Sequence, residues 1–197
     1  MDSEFFRNLM ENINKNSMGC SPITYEEGKI LNILLEIYTQ NKDLINIIEV
    51  GTCVGYSAIW MSKGIINSGK RGKIYSFEKD LKRVKEAEKN IEKISKISSY
   101  ESIKNCIMII NGNAINELPK VEESIDFAFL DGLKEEYIEY LKLLKPNLKQ
   151  GSIVTAHNVI SHKDLMDNFL REINNSEIWD SVIIPTQSGL SISIKKI

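Results

Sequence analysis

The sequence predicts an α/β sandwich: a seven-stranded, mostly parallel sheet with helices on both faces and an antiparallel hairpin at its end. Three observations predict it. Short apolar runs alternate with segments of helical period along most of the chain. The first run ends in a glycine-containing turn that leads straight into a helical pattern, Glu49-Val50-Gly51-Thr52-Cys53-Val54-Gly55-Tyr56-Ser57. The last two runs lie too close together for a crossover helix, so they pair antiparallel.

In order, a helix is expected over residues 2–15, then the loop Ser17-Met18-Gly19-Cys20-Ser21-Pro22. Thr24 and Glu27 form a Thr-x-x-Glu capping pair ahead of an apolar run at 30–38. Residues 44–50 read as a buried strand, 56–66 as a helix and 72–78 as a second strand. From Leu81 the positions Leu81, Val84, Ala87, Ile91 and Ile94 keep helical spacing, and the mixed-sign charges between them mark a solvated face. Strands follow at 106–110 and 125–130 around a short helix at 114–118. A helix at 134–144 stops at Pro146, and Gly151 leads into a strand at 152–156. Ser161 and Asp164 look like the start of a helix running to 173; strands at 178–184 and 190–194 close the chain.

With 42% hydrophobic and 26% charged residues, the 197-residue chain has the balance of a globular protein, which excludes disordered and fibrous classes. The formal charge, 25 − 27 = −2, gives no global field for nucleic acid or an anionic membrane. No apolar run approaches the roughly 18 residues of a membrane span, and the acidic N-terminus lacks the basic start of a signal peptide. Cys20, Cys53 and Cys106 are odd in number with no Cys-x-x-Cys pair, so they are expected to be small buried hydrophobes in a reducing cytoplasm, neither disulfide-bonded nor zinc-bound. No repeat or linker divides the chain. One domain over 1–197 is expected, with 1–40 a helical cap segment and 41–197 the core.

In such sheets ligands bind at the carboxyl ends of the strands. The first loop spaces its glycines as Gly51-x-x-x-Gly55. A dinucleotide fingerprint needs a glycine where Cys53 stands, to admit the pyrophosphate, and a Walker loop needs a Gly-Lys-Ser/Thr that is absent. Glu78, ending the second strand, is placed to accept from both hydroxyls of a ribose; alone it is as easily a surface residue. Gly112-Asn113-Ala114 could flank an adenine or simply turn the chain. A ribose without a pyrophosphate points to S-adenosylmethionine before NAD or ATP. A second constellation leaves the fourth and fifth strands: Asp131, Lys134, His157 and Asn158, an acid, an amine, an imidazole and an amide suited to metal binding and proton transfer.

Together these stretches resemble the cation-dependent O-methyltransferases of the catechol and caffeoyl-coenzyme-A type, within the class I S-adenosylmethionine-dependent methyltransferases. The resemblance runs from about Ser21 onward. It rests on Glu49-x-Gly51-x-x-x-Gly55-Tyr56-Ser57, on Glu78, on Asp131-x-x-Lys134-x-x-Tyr137, and on Gly151 to Val159 with its Ala156-His157-Asn158. It implies a Rossmann-like methyltransferase fold. Glu49, Gly51, Thr52, Gly55 and Ser57 would line the methionine part of the cofactor, Glu78 the ribose and Ala114 the adenine side. Asp131 would touch both cofactor and metal, and Lys134 would take the acceptor hydroxyl's proton if its pKa falls well below that of free lysine.

The family holds its cation with an Asp and then an adjacent Asp-Asn pair. Asp131 and Asn158 match the first and last, but His157 replaces the middle Asp. Three readings stay open for His157: ligand of a transition metal, general base without a metal, or position-holder in a chain that has lost catechol chemistry. The resemblance implies an O-methyltransferase for a small, catechol-like hydroxylated acceptor, and it admits a homodimer. Rival readings are a tRNA hydroxyuridine methyltransferase and a cofactor-binding protein without methyl transfer, with a nicotinamide dehydrogenase weakest. Acceptor choice would fall to Met18, Tyr137 and Trp179, although core packing also explains these, Trp179 above all.

Overall fold

Alternating strands and helices account for residues 2–197, the part that this computed structural model describes; Met1 lies outside it. The elements are α1 (Asp2–Lys15), α2 (Tyr25–Tyr38), β1 (Leu44–Val50), α3 (Tyr56–Asn67), β2 (Arg71–Glu78), α4 (Leu81–Ser95), α5 (Ile103–Cys106), β3 (Ile107–Asn111), α6 (Ala114–Glu117), β4 (Ile125–Leu130), α7 (Tyr137–Leu144), β5 (Leu148–His157), α8 (Asp167–Ile173), β6 (Trp179–Ile184) and β7 (Leu190–Lys195). The strand order is β3-β2-β1-β4-β5-β7-β6. The pairs β2/β3, β1/β4 and β4/β5 are parallel, whereas β7 runs antiparallel to both β5 and β6. The closing hairpin therefore folds back so that its second strand, not its first, joins β5. No described helix is long and apolar enough to cross a membrane.

Contacts group the described chain into two units. One comprises residues up to Ile45 together with Thr52–Gly112; the other comprises Asn46–Gly51 and Asn113–Ile197. In the first, the expected capping box forms: Thr24 N donates to Glu27 Oε2 at 2.7 Å and Glu27 N to Thr24 Oγ1 at 3.2 Å. Helix α2 then lies close on α3 because Gly28 leaves room for the Trp60 indole, which a Cβ there would overlap. Phe6 and Tyr25 meet Trp60 edge-on, at 5.4 and 5.1 Å between ring centroids. In the second unit, Tyr137 packs edge-on against Phe169 at 5.5 Å, with Phe127, Phe129 and Trp179 buried as well. Trp179 and Tyr137 are thus core residues, while Met18 is exposed.

Several boundaries move, for local reasons. Strand β5 begins at Leu148, four residues early, because it passes through a bulge between the pairs Ile125/Leu148 and Phe127/Ile153. Gly151 supplies the left-handed turn there (φ +82°), and Ser152 Oγ donates to Ile125 O at 2.7 Å. The helix expected from 161 or 164 starts only at Asp167, after a 3₁₀ turn, since Ser161 Oγ pairs with His162 Nδ1 rather than capping. Residues Lys134–Glu136 are likewise 3₁₀, and Cys106 ends a helical turn instead of opening β3.

One expectation is overturned. Cys20 and Cys53 are joined by a disulfide, with Cα atoms 6.5 Å apart and a sequence separation of 33; Cys106 alone is free. The pairing is invisible to spacing rules because it links a loop to the turn after β1 through folding. Nor are these residues core hydrophobes: all three are partly exposed.

In the second unit Glu172 on α8 accepts from Lys145, at the end of α7, and from Trp179 Nε1 on β6. The hydrogen bond from Lys145 is the main cause that lowers the Glu172 pKa. A lowered folded pKa gives stability that is present above the unfolded carboxylate value and lost as pH falls through the folded one. Glu172→Gln should therefore cost up to about 1 kcal/mol near neutral pH, with the difference from wild type fading in acid. Urea midpoints at pH 7 and pH 3.5 check this.

Candidate active site

In the first unit the turn after β1 is built on positive φ values at Cys53 (+48°) and Gly55 (+84°), with Gly55 N closing onto Thr52 O at 2.8 Å. Gly55 is small for a second reason. A Cβ there would sit 3.3 Å from the Ala87 Cβ, so glycine lets the start of α3 approach α4. Thr52 is buried and its Oγ1 pairs with Ser76 Oγ on β2, while Thr52 N donates to Phe77 O. Glu78 is fixed at both oxygens: Oε2 accepts from Cys53 N and Oε1 from Asp80 N, each at 2.9 Å. Its carbonyl accepts from Gly112 N and from Asn111 Nδ2. Each carboxylate oxygen keeps lone-pair capacity for one further donor, so the group suits a pair of vicinal hydroxyls. Ser57 lies buried in the first turn of α3.

In the second unit Glu49 is buried on β1, facing Phe129 across the β1/β4 ladder. Gly51 (φ +101°) follows, and a Cβ at this position would collide with the Asp131 carbonyl. The close approach extends the ladder, with Asp131 N donating to Val50 O at 2.8 Å. The Asp131 carboxylate then gathers two partners on one oxygen. Lys134 Nζ lies 2.9 Å from Oδ1 and His157 Nδ1 3.3 Å from it. Lys134 also donates to Gly132 O at 3.0 Å and stands 5.4 Å above the Tyr137 ring. Tyr137 OH donates to His157 O at 3.2 Å; burial, then the nearby Asp131, push its pKa well up, which keeps it a donor. Asn158 continues in a left-handed conformation (φ +64°), with its amide 3.5 Å from Ser161 Oγ. Ala114 opens α6, where Asn113 caps Ile115 N at 2.9 Å.

Of the sequence-predicted residues, the structure joins Asp131, Lys134 and His157 directly. Asn158 adjoins them only along the chain. Sequence reasoning missed the Tyr137 hydroxyl as a brace for the His157 backbone, and the Cys53 N–H as an anchor for Glu78. The first was signalled by the Tyr at the third turn position after Lys134; the second had no signal, being a main-chain group.

A sequence profile of the O-methyltransferase family matches residues 1–178. The chain belongs to the O-methyltransferase family. Among its relatives, the catechol O-methyltransferase of Niastella koreensis is 32% identical over 149 residues, covering 74% of this chain and 61% of that protein. The catechol O-methyltransferase of Mycobacterium tuberculosis is 24% identical over 139 residues, covering 70% and 57%. This O-methyltransferase chain thus spans about three-fifths of the relatives it matches. Among solved structures, the O-methyltransferase from Bacillus cereus in complex with SAH superposes with a TM-score of 0.79 at 21% identity, covering 96% of this chain and 91% of that one. TomG from Streptomyces achromogenes, in complex with SAM, gives 0.80 at 16%, covering 96% and 90%. At these identities the likeness shows the Rossmann-like fold of class I methyltransferases.

The family implies both the cofactor and a cation, and the residues answer differently. The S-adenosyl cofactor fits: Glu78 is oriented with acceptor capacity to spare, and the turn before it is opened by glycines. Magnesium does not fit. It wants near-octahedral oxygen, whereas Asp131, His157 and Asn158 offer one carboxylate, one imidazole and one amide, with an ammonium already on the carboxylate oxygen. Among the described residues no three His, Cys, Asp or Glu side chains are grouped to hold an ion.

The Gly51 close approach is testable against Gly69, which has φ +71° but open space around it. Gly69→Ala should cost about 1 kcal/mol, the backbone penalty alone. Gly51→Ala should cost about 3 kcal/mol or more, because a Cβ meets main chain that cannot yield. Equal denaturation midpoints for the two variants would remove the constraint.

Proposed function

We propose that this chain is an S-adenosylmethionine-dependent O-methyltransferase whose acceptor is a small hydroxylated aromatic of the catechol type. The observation that carries the reading is the Asp131–Lys134 pair at 2.9 Å, with His157 on the same carboxylate oxygen. The likeness to the catechol O-methyltransferase of Niastella koreensis supports the acceptor class. The net charge of −2 gives no global positive field that would favour RNA as the acceptor. A cytoplasmic site of action belongs to the same reading.

When bound, the cofactor supplies a sulfonium-borne methyl group for in-line displacement. Glu78 would accept from its ribose hydroxyls, Glu49, Gly51, Thr52, Gly55 and Ser57 would receive the methionine end, and Ala114 the adenine side. The remaining task is to orient the acceptor oxygen and take its proton. Lys134 is the group for this. Its side chain is 17% exposed, whereas His157 is 2% exposed and turns Nδ1 toward Asp131. Lys134 would take the acceptor hydroxyl's proton and hold it beside Asp131. His157 is a positioning residue: its Nδ1 meets the same carboxylate oxygen as Lys134, and Tyr137 holds His157 through its carbonyl. With one carboxylate matched by one ammonium, we assign no step to a metal.

Lys134→Arg decides the role, since arginine keeps the ion pair and cannot act as a base at neutral pH. S-adenosylhomocysteine binding should survive, while turnover of a catechol falls by about 10²–10⁴. Retained turnover would make Lys134 an electrostatic prop only. Binding without a product from any hydroxylated acceptor, in the wild type, would leave a cofactor-binding protein. Calorimetric titration of manganese and magnesium into the S-adenosylhomocysteine complex tests the metal assignment. We expect no heat that depends on Asp131; heat that disappears in Asp131→Ala would restore a cation at Asp131, His157 and Asn158.

A further inference from the structure

The turn that we read as the cofactor loop carries a sulfur at its centre. Cys53 has a left-handed backbone (φ +48°), a conformation that glycine adopts freely and a residue with a Cβ does not. Two bonds hold it there: its N–H donates to Glu78 Oε2 at 2.9 Å, and its Sγ is joined to Cys20. The other end of that bond is equally contorted. Met18 (φ +52°) and Gly19 (φ +77°) are both left-handed, Cys20 N donates to Ser17 O at 3.0 Å, and Ser17 Oγ donates to Cys20 O at 3.1 Å. The whole 17–20 turn serves to deliver one sulfur to the loop.

The surroundings say what the link restrains. Ser17, Met18 and Gly19 form one wall of a cleft of about 530 Å³, whose other wall includes Asn90 and Lys93 of α4. Asn90 is buried, and its amide donates to Val54 O, the residue after Cys53, at 3.1 Å. The loop is therefore held from α4 on one side and from the 17–20 segment on the other, and only the second hold is breakable by chemistry. Both cysteines are partly exposed, so small thiols and disulfides can reach them. Cys106 competes poorly for such reagents, because burial pushes its thiol pKa up.

We propose that Cys20–Cys53 is a redox latch on the cofactor loop: the disulfide holds segment 17–20 against the loop and slows cofactor exchange, and the dithiol releases it. This rests on the reading of residues 51–55 as the cofactor loop. Closing requires a low-molecular-weight disulfide, RSSR. One cysteine thiolate attacks it and expels RS⁻; the second thiolate attacks the mixed disulfide and expels the other RS⁻. The two thiols lose two electrons and two protons, and RSSR leaves as two RSH. A dithiol reductant reverses both steps.

The test uses the full chain carrying Cys106→Ser, equilibrated either with oxidised glutathione or with a phosphine reductant, with the thiol count verified by alkylation and mass. Release of S-adenosylhomocysteine, followed by stopped-flow displacement, should be roughly ten-fold slower from the oxidised form, as preorganisation of one closing segment can give. Adding Cys20→Ser should yield the fast rate under both conditions. In a measurement that needs no cysteine variant, trypsin should cut at Lys15 faster in the reduced wild type. Equal release rates from the two forms, redox sensitivity that survives Cys20→Ser, or a disulfide that fails to form with oxidant would each overturn the latch while leaving the methyltransferase reading intact. Absence of S-adenosylhomocysteine binding in either form would overturn that reading, and the latch with it.

Discussion

The cluster around Asp131 depends on two stretches of main chain lying closer than side chains normally allow. Gly51 presents only a hydrogen where a Cβ would strike the Asp131 carbonyl. That permits Asp131 N to continue the β1/β4 ladder one residue past the end of β4. The carboxylate is thereby pinned at its root. Lys134, three residues on, returns to it through a 3₁₀ turn, and His157 reaches it from the end of the neighbouring strand β5. Asp131 and His157 are thus anchored at the ends of neighbouring strands, and Lys134 opens the 3₁₀ turn beyond the first.

His157, at the position where the resemblance implies an aspartate, changes the charge logic of that cluster. Two carboxylates beside one ammonium would leave a net negative charge in a half-buried site, which favours a cation there. One carboxylate beside one ammonium is already balanced, and removing either member would leave its partner buried and unpaired. The imidazole adds a hydrogen-bonding partner without requiring a further charge. Tyr137, buried and kept protonated, braces the backbone of His157 from beneath. The constellation is self-consistent without a cation, and its family resemblance survives in the positions while the electrostatics differ.

On the other unit, the same economy appears in the turn at 52–55. The main-chain N–H of Cys53 helps to orient Glu78, together with that of Asp80, and the side chain of Cys53 ties the turn to the N-terminal segment. Backbone strain at Cys53 is offset by both bonds together. A glycine would reach the same conformation more easily, but it could not form the link.

The sequence by itself determined the order and kind of nearly every element, because those follow from near-neighbour physics: apolar period, the Thr24–Glu27 cap, Pro146, and glycines where strands exit. The positions of Gly51, Glu78 and Asp131 at strand exits were legible for the same reason, and their roles belong to the proposed function. Boundaries drifted where a side chain found a non-local partner, as Ser152 did with the Ile125 carbonyl and Ser161 with His162. Only the tertiary structure decided that Cys20 meets Cys53, and that Glu172 meets both Lys145 and Trp179. Each of those contacts joins segments whose encounter is set by how helices and strands pack, and no local pattern encodes that geometry.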